Sequence, residues 1–425
     1  MNKRLRRSHV FDLIIMTVVL TFWVGRWIWL MIDIHRGRPD RLMDFATYYV
    51  AARALWEGKD LYQIDGSQWF ALGKESGIPT ALGIYVYPPL FALLMTLLAW
   101  LPFSAAAMVW GAITWASFLG SAYLFARWVR LPTWPFLLCA LLFLPVSVTM
   151  NYGQSNGILL FLILLAWLSL HAPSAWTQGW GAVALSIAIW VKMWPALLGL
   201  YFCLSRKFLR PLLWTGIAFL GLGGLQALIL GSERWMRFLR VGFPDLLRLL
   251  MLQPPHNPLW RSFSGPLFDS ARPHTMPLAA LPFVLLVTWL LLRRSHLGSA
   301  YDLSLVLSPI PLIARFQEYH HLVLLLIPLW TLIAEGAKGT LPRLSWVLAM
   351  GGGMIVNAHW ILGWLVVRRG LGIGAPLYTS YTLPLLGTFL IWMALTWSRL
   401  ARQMEAPIIK RIRDEADAPA SGDGE

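Results

Sequence analysis

Long apolar runs separated by short polar segments make up most of this 425-residue chain. Clear examples are residues 11–32, 212–230 and 278–292. A helix needs roughly 20 apolar residues to cross about 30 Å of hydrocarbon, and inside a membrane a single segment satisfies its backbone only as a helix. The pattern therefore predicts an all-α integral membrane protein, a polytopic helical bundle and not a soluble core.

The runs predict about twelve transmembrane helices. We place them near residues 11–32, 86–102, 105–127, 135–149, 157–170, 180–202, 212–230, 277–292, 300–316, 321–334, 344–367 and 380–398. An even number puts both basic termini in the cytoplasm, together with the basic segments 206–210 and 293–294. The run 180–202 is interrupted by Lys192 and Pro195, which suggests two half-helices meeting at a polar point.

This topology leaves polar segments on both sides of the membrane. Residues 33–85 and 231–276 are predicted to be extracytoplasmic. Residues 151–157 fall inside, and Arg127 and Arg130 fall outside, against the rule that basic residues stay in the cytoplasm. Residues 1–400 are predicted to form one transmembrane domain, followed by a disordered cytoplasmic tail, 401–425.

Composition favours the membrane and excludes other classes. Only 13% of residues are charged, against about 25% in soluble domains, and 25 tryptophans fit interfacial belts. The net charge of +15 sits in short segments between spans, so it indicates orientation in a cell membrane and not nucleic-acid binding. The first apolar run lacks a small-residue cleavage site, so we interpret it as a retained span.

An acidic residue lies at the start of a helical pattern in the first outer loop. Tyr48, Ala51, Ala52 and Leu55 recur at spacings of three and four residues, which predicts an amphipathic helix along the outer interface. Asp44 just precedes it. The side chain either caps the helix or accepts a proton from a substrate hydroxyl as a general base.

Further polar groups interrupt the apolar runs. Gln154 and Asn156 belong to a polar island, residues 151–157, that is either a turn or a sugar-binding loop. The predicted spans place this island inside, and an outer position is kept as the alternative. Tyr87 opens a span as an interfacial anchor or a substrate contact. Lys192 has apolar neighbours on both sides in the sequence. Its side chain either snorkels to the interface or contacts a phosphate.

A last candidate group lies between two spans: Arg315, Glu318, His320 and His321. Adjacent histidines on a helix face different directions, so shared metal ligation is poor. Histidine or arginine donating to an anion is more natural.

Taken in order, these motifs resemble glycosyltransferase family 87, of the GT-C class. The resemblance covers roughly residues 40–335. The motifs are Asp44-Phe45 before Tyr-Tyr-x-Ala-Ala, Leu61-Tyr62, Tyr-Pro-Pro-Leu at 87–90, Gly-Gln-Ser-Asn at 153–156, Lys-x-x-Pro at 192–195, His256-Asn257-Pro258-Leu259, and Ser-Pro-Ile at 308–310 with Tyr-His-His at 319–321. The family often has Asn-Gln-Ser where this chain has Asn257-Pro258-Leu259.

The resemblance implies a polyprenyl-phosphate-linked sugar donor, mannose by family, and a lipid or glycan acceptor on the extracytoplasmic face. Transfer would be inverting and metal-independent, with no cofactor, and Asp44 falls on the family's catalytic acid. Lys192, Arg315 and His320 or His321 would hold the donor phosphate. Tyr48, Tyr87, Gln154, Asn156, Asn257 and Glu318 would line the substrates.

Two other functions compete with an enzyme. A lipid or solute transporter or flippase would have inverted repeats and charges along a path across the membrane, and the sequence shows no internal repeat. A lipid-binding scaffold would keep a groove without needing Asp44.

Overall fold

The computed structural model describes residues 3–35, 41–78, 82–83, 85–203, 209–244, 276–293, 299–313, 319–369 and 382–416. Every regular element within these ranges is helical. The prediction of an all-α architecture is confirmed for this part of the chain.

The α-helices run in chain order as follows: α1 Lys3–His35, α2 Met43–Trp56, α3 Gly66–Glu75, α4 Pro89–Ala99, α5 Phe103–Val129, α6 Trp134–Leu142, α7 Leu144–Tyr152, α8 Asn156–Leu170, α9 Ala175–Val191, α10 Leu197–Cys203, α11 Leu209–Leu230, α12 Ser232–Arg237, α13 Met276–Arg293, α14 Ala300–Leu307, α15 Ile310–Ile313, α16 Leu326–Ala337, α17 Arg343–Arg369 and α18 Thr382–Ala416. Short 3₁₀ segments occupy Trp194–Ala196 and Tyr319–Leu325, and a π-helical turn occupies Phe238–Gly242.

Five helical segments in the described ranges are long and apolar enough to cross a membrane. They are Leu13–Leu30, Phe103–Val129, Leu209–Leu230, Tyr319–Ala337 and Leu383–Met404. A sixth is formed if α6 and α7, bent by 66° at their junction, make one broken span. The chain is therefore a candidate multi-pass membrane protein, and the count of about twelve spans stays a prediction.

The prediction that the helix near Asp44 is amphipathic is wrong, whereas its position at the outer interface stays a prediction. All residues from 45 to 52 are buried, which covers every face of α2. Aromatic rings enclose it: Phe45 packs 5.5 Å from Phe103 and 6.0 Å from Trp110, and Tyr48 packs 4.6 Å from Phe91, between ring centroids. The three- and four-residue spacing marked only the most apolar face, and other helices cover the rest.

The predicted break in residues 180–202 is confirmed. Helix α9 ends at Val191, and Lys192 is extended, with φ −144° and ψ 133°. The chain then makes a 3₁₀ turn at Trp194–Ala196 and resumes as α10. Pro195 lacks a backbone N–H, so it fits the first turn of a new helix but not the interior of a continuous one.

The length of helix α4 bears on the predicted order of the membrane sides. It has 11 residues and is therefore only about 16 Å long, half the hydrocarbon thickness, where a span over 86–102 was predicted. The long span is α5. Trp110 near its start bonds the carbonyl of Gly153 at 2.7 Å, and Arg127 lies about 26 Å further along the axis.

Arg127 and Arg130 therefore lie at the opposite end of α5 from residues 151–156. If α4 does not cross the membrane, Arg127 and Arg130 fall inside, as the positive-inside rule requires. The basic segments 206–210 and 293–294 then stay inside only if a second predicted span, such as the broken run 180–202, does not cross either. The polar island and α2 then share one side, in place of the opposite sides that the predicted spans gave them.

The described part of the predicted tail is helical. Helix α18 continues through Ala416, where the sequence predicted disorder from residue 401. The single-domain division and the cytoplasmic position of this segment stay predictions.

Helices α17 and α18 pack closely enough that their backbones nearly touch at a glycine pair. A Cβ on Gly352 would lie 2.6 Å from the Gly387 carbonyl oxygen, whereas one on the adjacent Gly351 would meet nothing within 4 Å. We expect Gly352→Ala to destabilise the protein by about 1–3 kcal/mol through overpacking, seen as a lower melting temperature in detergent. Gly351→Ala is the matched control and should melt at or above the wild-type temperature; equal melting of both variants would contradict this packing.

Candidate functional site

A buried polar cluster lies where three helix ends meet. The start of α2 supplies Asp44 and Tyr48, the loop between α7 and α8 supplies Gln154, and the break after α9 supplies Lys192. Each group sits where a helix begins or ends. Polar side chains and backbone groups are satisfied together at such points, so the cluster exists without breaking the interior of any helix.

Gln154 links the members of this cluster. Its Oε1 accepts hydrogen bonds from Tyr48 Oη at 3.0 Å and from Lys192 Nζ at 2.8 Å. A carbonyl oxygen has two lone pairs, so both are used, and the amide nitrogen is the group that faces Asp44. The Gln154 side chain also interacts with the Asp44 carboxyl and acts to lower the pKa of that carboxyl.

Asp44 is not the helix cap that one sequence interpretation allowed. Leu42 occupies the cap position of α2 in a left-handed conformation, with φ 53°, and no side chain caps the helix. Asp44 lies inside the first turn, half-buried. Burial raises the pKa of its carboxyl above the ordinary value, while the Gln154 hydrogen bond and the charge of Lys192 act in the opposite direction. The result is a carboxylate that binds a proton more readily than an exposed one.

Lys192 is held inside the cluster. Its Nζ donates to Gln154 Oε1 and to Asn156 Oδ1, both at 2.8 Å, and lies 5.8 Å from the centre of the Tyr87 ring. The residue is only 9% exposed. These contacts exclude the snorkelling interpretation and leave a cation bound by neutral amide oxygens, which orient its charge without cancelling it.

Asn156 connects Lys192 to the histidine pair. Its Nδ2 donates to the His320 carbonyl at 3.0 Å, and Thr149 Oγ1 donates to the same oxygen at 3.3 Å. The rings of His320 and His321 lie 4.3 Å apart, and both are close enough to Lys192 to feel its charge. The structure thus brings both candidate histidines to the site.

Tyr48 and Tyr87 form the aromatic side of the cluster. Their hydroxyls are 3.1 Å apart, and since Tyr48 donates its proton to Gln154, Tyr87 is the donor between them. Complete burial raises the pKa of Tyr48 well above its ordinary value, so it stays a protonated donor. Tyr62, which the sequence did not single out as a site residue, donates to the Tyr87 carbonyl at 2.9 Å and holds that segment in place.

Three predicted site residues lie outside the described residues: Asn257, Arg315 and Glu318.

The structure also adds a residue that the sequence analysis missed. Arg26, within the first span, donates from Nη2 to Asn151 Oδ1 at 3.0 Å. Its signal was available, because a charged residue inside an apolar run is a functional candidate by default.

No metal arrangement of three or more His, Cys, Asp or Glu side chains occurs among the described residues. The metal independence of the site stays a prediction, because Arg315, Glu318 and their neighbours are not among them.

Comparison with known proteins identifies the class. The model of glycosyltransferase family 87 matches residues 85–310, slightly more than half of the chain, and the match includes Tyr87, Gln154, Asn156 and Lys192. The chain belongs to glycosyltransferase family 87.

Similar proteins are mycobacterial. A polyprenol-phosphate-mannose-dependent alpha-(1-2)-phosphatidylinositol pentamannoside mannosyltransferase of Mycobacterium tuberculosis (strain CDC 1551 / Oshkosh) is 26% identical over 333 residues, 71% of this chain and 66% of that protein. A polyprenol-phosphate-mannose-dependent alpha-(1-2)-phosphatidylinositol mannoside mannosyltransferase of Mycolicibacterium smegmatis is 27% identical over 47% of this chain and 44% of its own. The matched region spans less than two thirds of either relative.

Gly153 is the residue whose backbone sets the position of Gln154. Its φ is +69°, and a Cβ there would lie 2.5 Å from the Cβ of Phe45. Gly77 has a similar φ of +67° but open space around it. A left-handed residue with a side chain costs about 1–2 kcal/mol at both positions, and overpacking adds about 1–3 kcal/mol at Gly153 alone.

We therefore expect Gly153→Ala to lower the melting temperature clearly more than Gly77→Ala. Thermal unfolding of the two purified variants measures this difference. Equal destabilisation would mean that the contact with Phe45 does not constrain the loop.

Proposed function

We propose that this protein is a membrane glycosyltransferase that moves a hexose from a polyprenyl-phosphate-linked donor to an acceptor hydroxyl at the extracytoplasmic face. Mannose is the sugar that the names of its relatives support. The observation that carries the proposal is the pairing of Asp44 and Lys192 through one amide. A proton acceptor and a cation lie in one buried site, as the proposed base and phosphate ligand require.

In the proposed reaction, Asp44 accepts the proton of the acceptor hydroxyl. The oxygen attacks the anomeric carbon of the sugar as the bond from that carbon to the phosphate oxygen breaks. The phosphate leaves with the bonding electrons as a stable anion, so no second carboxylate has to protonate it, unlike glycoside hydrolysis. With one base opposite the leaving group, the transfer inverts the anomeric centre and needs no metal.

Lys192 and the histidine pair are the proposed ligands of the donor phosphate, with Arg315 as a further candidate. A fixed cation is most effective where charge develops, because a buried site screens it less than water does. The amide oxygens of Gln154 and Asn156 hold the ammonium group before substrate arrives. Little reorganisation is then needed as the phosphate takes up negative charge.

Tyr48, Tyr87, Gln154 and Asn156 are the proposed substrate contacts around this centre. The relatives are named for acceptors built on phosphatidylinositol, which supports a lipid-linked acceptor here. An extracytoplasmic site and cytoplasmic termini are part of the same proposal, since both follow from the positive-inside rule applied to the basic segments.

A transporter or flippase is the rival function. It would need charged groups distributed along a path across the membrane. The charged and amide side chains of the candidate site instead gather at one end of α5, around residues 151–156. Sugar transfer from a labelled polyprenyl-phosphate donor in proteoliposomes separates the enzyme from this rival and from a lipid-binding scaffold.

Asp44→Asn tests the base directly. The change keeps the size of the side chain but removes its ability to take a proton, so we expect normal folding, retained donor binding and a loss of kcat of about a hundredfold or more. Asp65→Asn is the matched control in the same outer segment, since Asp65 caps α3 and asparagine caps equally well. Turnover of Asp44→Asn within a few-fold of wild type would remove Asp44 from the mechanism.

Lys192→Met tests the electrostatic coupling. The positive charge of Lys192 lowers the pKa of Asp44, so removing it should raise that pKa and move the acidic limb of kcat/KM to higher pH. The KM for the donor should rise as well, because a phosphate ligand is lost.

Lys74→Met is the control, since Lys74 is an exposed lysine on α3. It should change neither quantity. An acidic limb that stays in place in Lys192→Met would show that Asp44 is not the titrating base, whatever happens to the donor KM.

A further inference from the structure

The described part of the second polar segment, which begins after α11, packs against the first one, which follows α1. Arg237 Nη1 of α12 donates to Asp60 Oδ2 at 3.0 Å, and Arg234 Nη2 donates to the Gly58 carbonyl at 2.7 Å. Both segments therefore lie on the same side of the membrane, where the predicted topology also places them together. The proposed reaction assigns no role to this contact.

Asp60 uses both of its carboxylate oxygens here. Its Oδ1 accepts a hydrogen bond from the backbone N–H of Tyr62 at 3.1 Å, and its Oδ2 accepts the one from Arg237. The Asp60 side chain is only 11% exposed, whereas Glu233, another acidic partner of Arg237, is 85% exposed. A charge-assisted hydrogen bond that is shielded from water is screened less than an exposed one, so Asp60 is the carboxylate that holds Arg237 in place.

The Tyr62 ring is enclosed by the turn that follows α12. The ring centroids of Tyr62 and Phe238 are 5.2 Å apart, and a Cβ on Gly242 would lie 2.6 Å from the Tyr62 ring. Phe238 and Gly242 are the first and last residues of the π-helical turn, so the turn covers the ring with one aromatic side chain and one stretch of bare backbone. Single π-helical turns are rare and often lie at functional sites.

The Tyr62 hydroxyl extends this contact to the candidate site. It donates to the Tyr87 carbonyl at 2.9 Å, and burial raises the pKa of Tyr62 well above its ordinary value, so the hydroxyl stays a donor. The next two residues, Pro88 and Pro89, have no backbone N–H with which to anchor this stretch of chain. The hydrogen bond from Tyr62 therefore holds the Tyr87 backbone in place from a different segment.

Tyr87 in turn lies beside the cation that we propose as a ligand of the donor phosphate. The centre of its ring is 5.8 Å from Lys192 Nζ, within range of a cation–π interaction, and its hydroxyl is 3.1 Å from that of Tyr48. Tyr48 and Lys192 both donate to the same oxygen of Gln154. A shift of the Tyr87 backbone would thus change the surroundings of Lys192 without altering Lys192 itself.

Resting on the proposed function, we propose that Asp60 is a positioning residue for donor binding. By fixing Tyr62 against the second polar segment, Asp60 keeps Tyr87 beside the cation. Asp60, Tyr62 and Tyr87 act in series, and their effect reaches the donor phosphate through the surroundings of Lys192. The series does not include the proposed base, Asp44, so its loss should change the KM for the donor much more than kcat.

The test measures sugar transfer by the full-length protein in proteoliposomes at increasing concentrations of a polyprenyl-phosphate-linked sugar, well below the melting temperature of each variant. Asp60→Asn keeps the size of the side chain and removes its charge. We expect it to raise the donor KM about threefold to tenfold, with kcat within about twofold of wild type. Glu233→Gln is the matched control, because it removes an exposed partner of the same arginine, and it should change neither quantity.

A double-variant cycle separates positioning from general destabilisation. Tyr62→Phe keeps the packed ring and removes only the hydroxyl that bonds Tyr87, and it should raise the donor KM by a similar factor. Because the two residues act in series, the double variant Asp60→Asn/Tyr62→Phe should raise the KM no further than the larger single effect. Two independent defects would multiply instead.

Two further comparisons approach the series from the second segment. Gly242→Ala adds a methyl group that displaces the Tyr62 ring and should raise the donor KM, whereas Gly66→Ala, where a Cβ would meet nothing within 4 Å, should leave it unchanged. Arg237→Lys keeps a charged partner for Asp60, so it should raise the donor KM less than Arg237→Gln does.

Two results would overturn the proposal. A donor KM unchanged in both Asp60→Asn and Tyr62→Phe would show that the contact only stabilises the fold, even if both variants melt at a lower temperature. A double variant whose KM rises by the product of the single effects would show that the two residues do not act in series.

Binding of a short-chain polyprenyl phosphate in detergent distinguishes these results from a failure of the proposed function. A wild type that transfers no sugar, but whose affinity for this probe falls in Asp60→Asn and Tyr62→Phe, would contradict the proposed function and leave the positioning role standing. A wild type that neither transfers sugar nor binds the probe would contradict both.

Discussion

The neutral amide of Gln154 lies between the two charged groups of this site, the Asp44 carboxylate and the Lys192 ammonium. If Asp44 and Lys192 formed a direct ion pair in a buried setting, each would largely neutralise the other, and the carboxylate would be a poor base. Gln154 accepts from the ammonium group on its oxygen and meets the carboxyl with its nitrogen. The Asp44 carboxyl then keeps a raised pKa, as the proposed base needs, and the Lys192 ammonium keeps its charge, as the proposed phosphate ligand needs.

The amide can do this only because the backbone holds it still. Gly153, in its left-handed conformation, turns the chain between α7 and α8 against Phe45, and Trp110 fixes the carbonyl of that glycine. The interruption after α9 brings Lys192 to the same point. An apolar bundle carries reactive polar groups where its helices stop, since the exposed backbone groups there need partners in any case.

The sequence predicted some features of these helix interruptions correctly and others incorrectly. Lys192 and Pro195 were enough to predict the break after α9, because proline cannot continue a helix. The spacing around Tyr48 gave an amphipathic surface helix, and the structure shows a buried one, because periodicity reports the most apolar face and not what covers the others. The apolar run at 86–102 predicted a longer helix than the structure has: hydropathy counts apolar residues, but α4 ends after 11 residues, at a turn that the hydropathy of the run does not reveal.

By itself, the sequence determined that the protein is a helical membrane protein, which residue types are available for chemistry, and that its motifs occur in the order of one glycosyltransferase family. Those conclusions need only local information: apolar length, charge and motif order. Only the tertiary structure decided that Asp44, Gln154 and Lys192 share one site, that Asp44 is not a helix cap, and that Arg26 faces the same loop. Asp44 and Gln154, like Arg26 and Asn151, are more than a hundred positions apart, and Gln154 and Lys192 are 38 apart. Their contacts depend on how helices pack and bend, which no local pattern encodes.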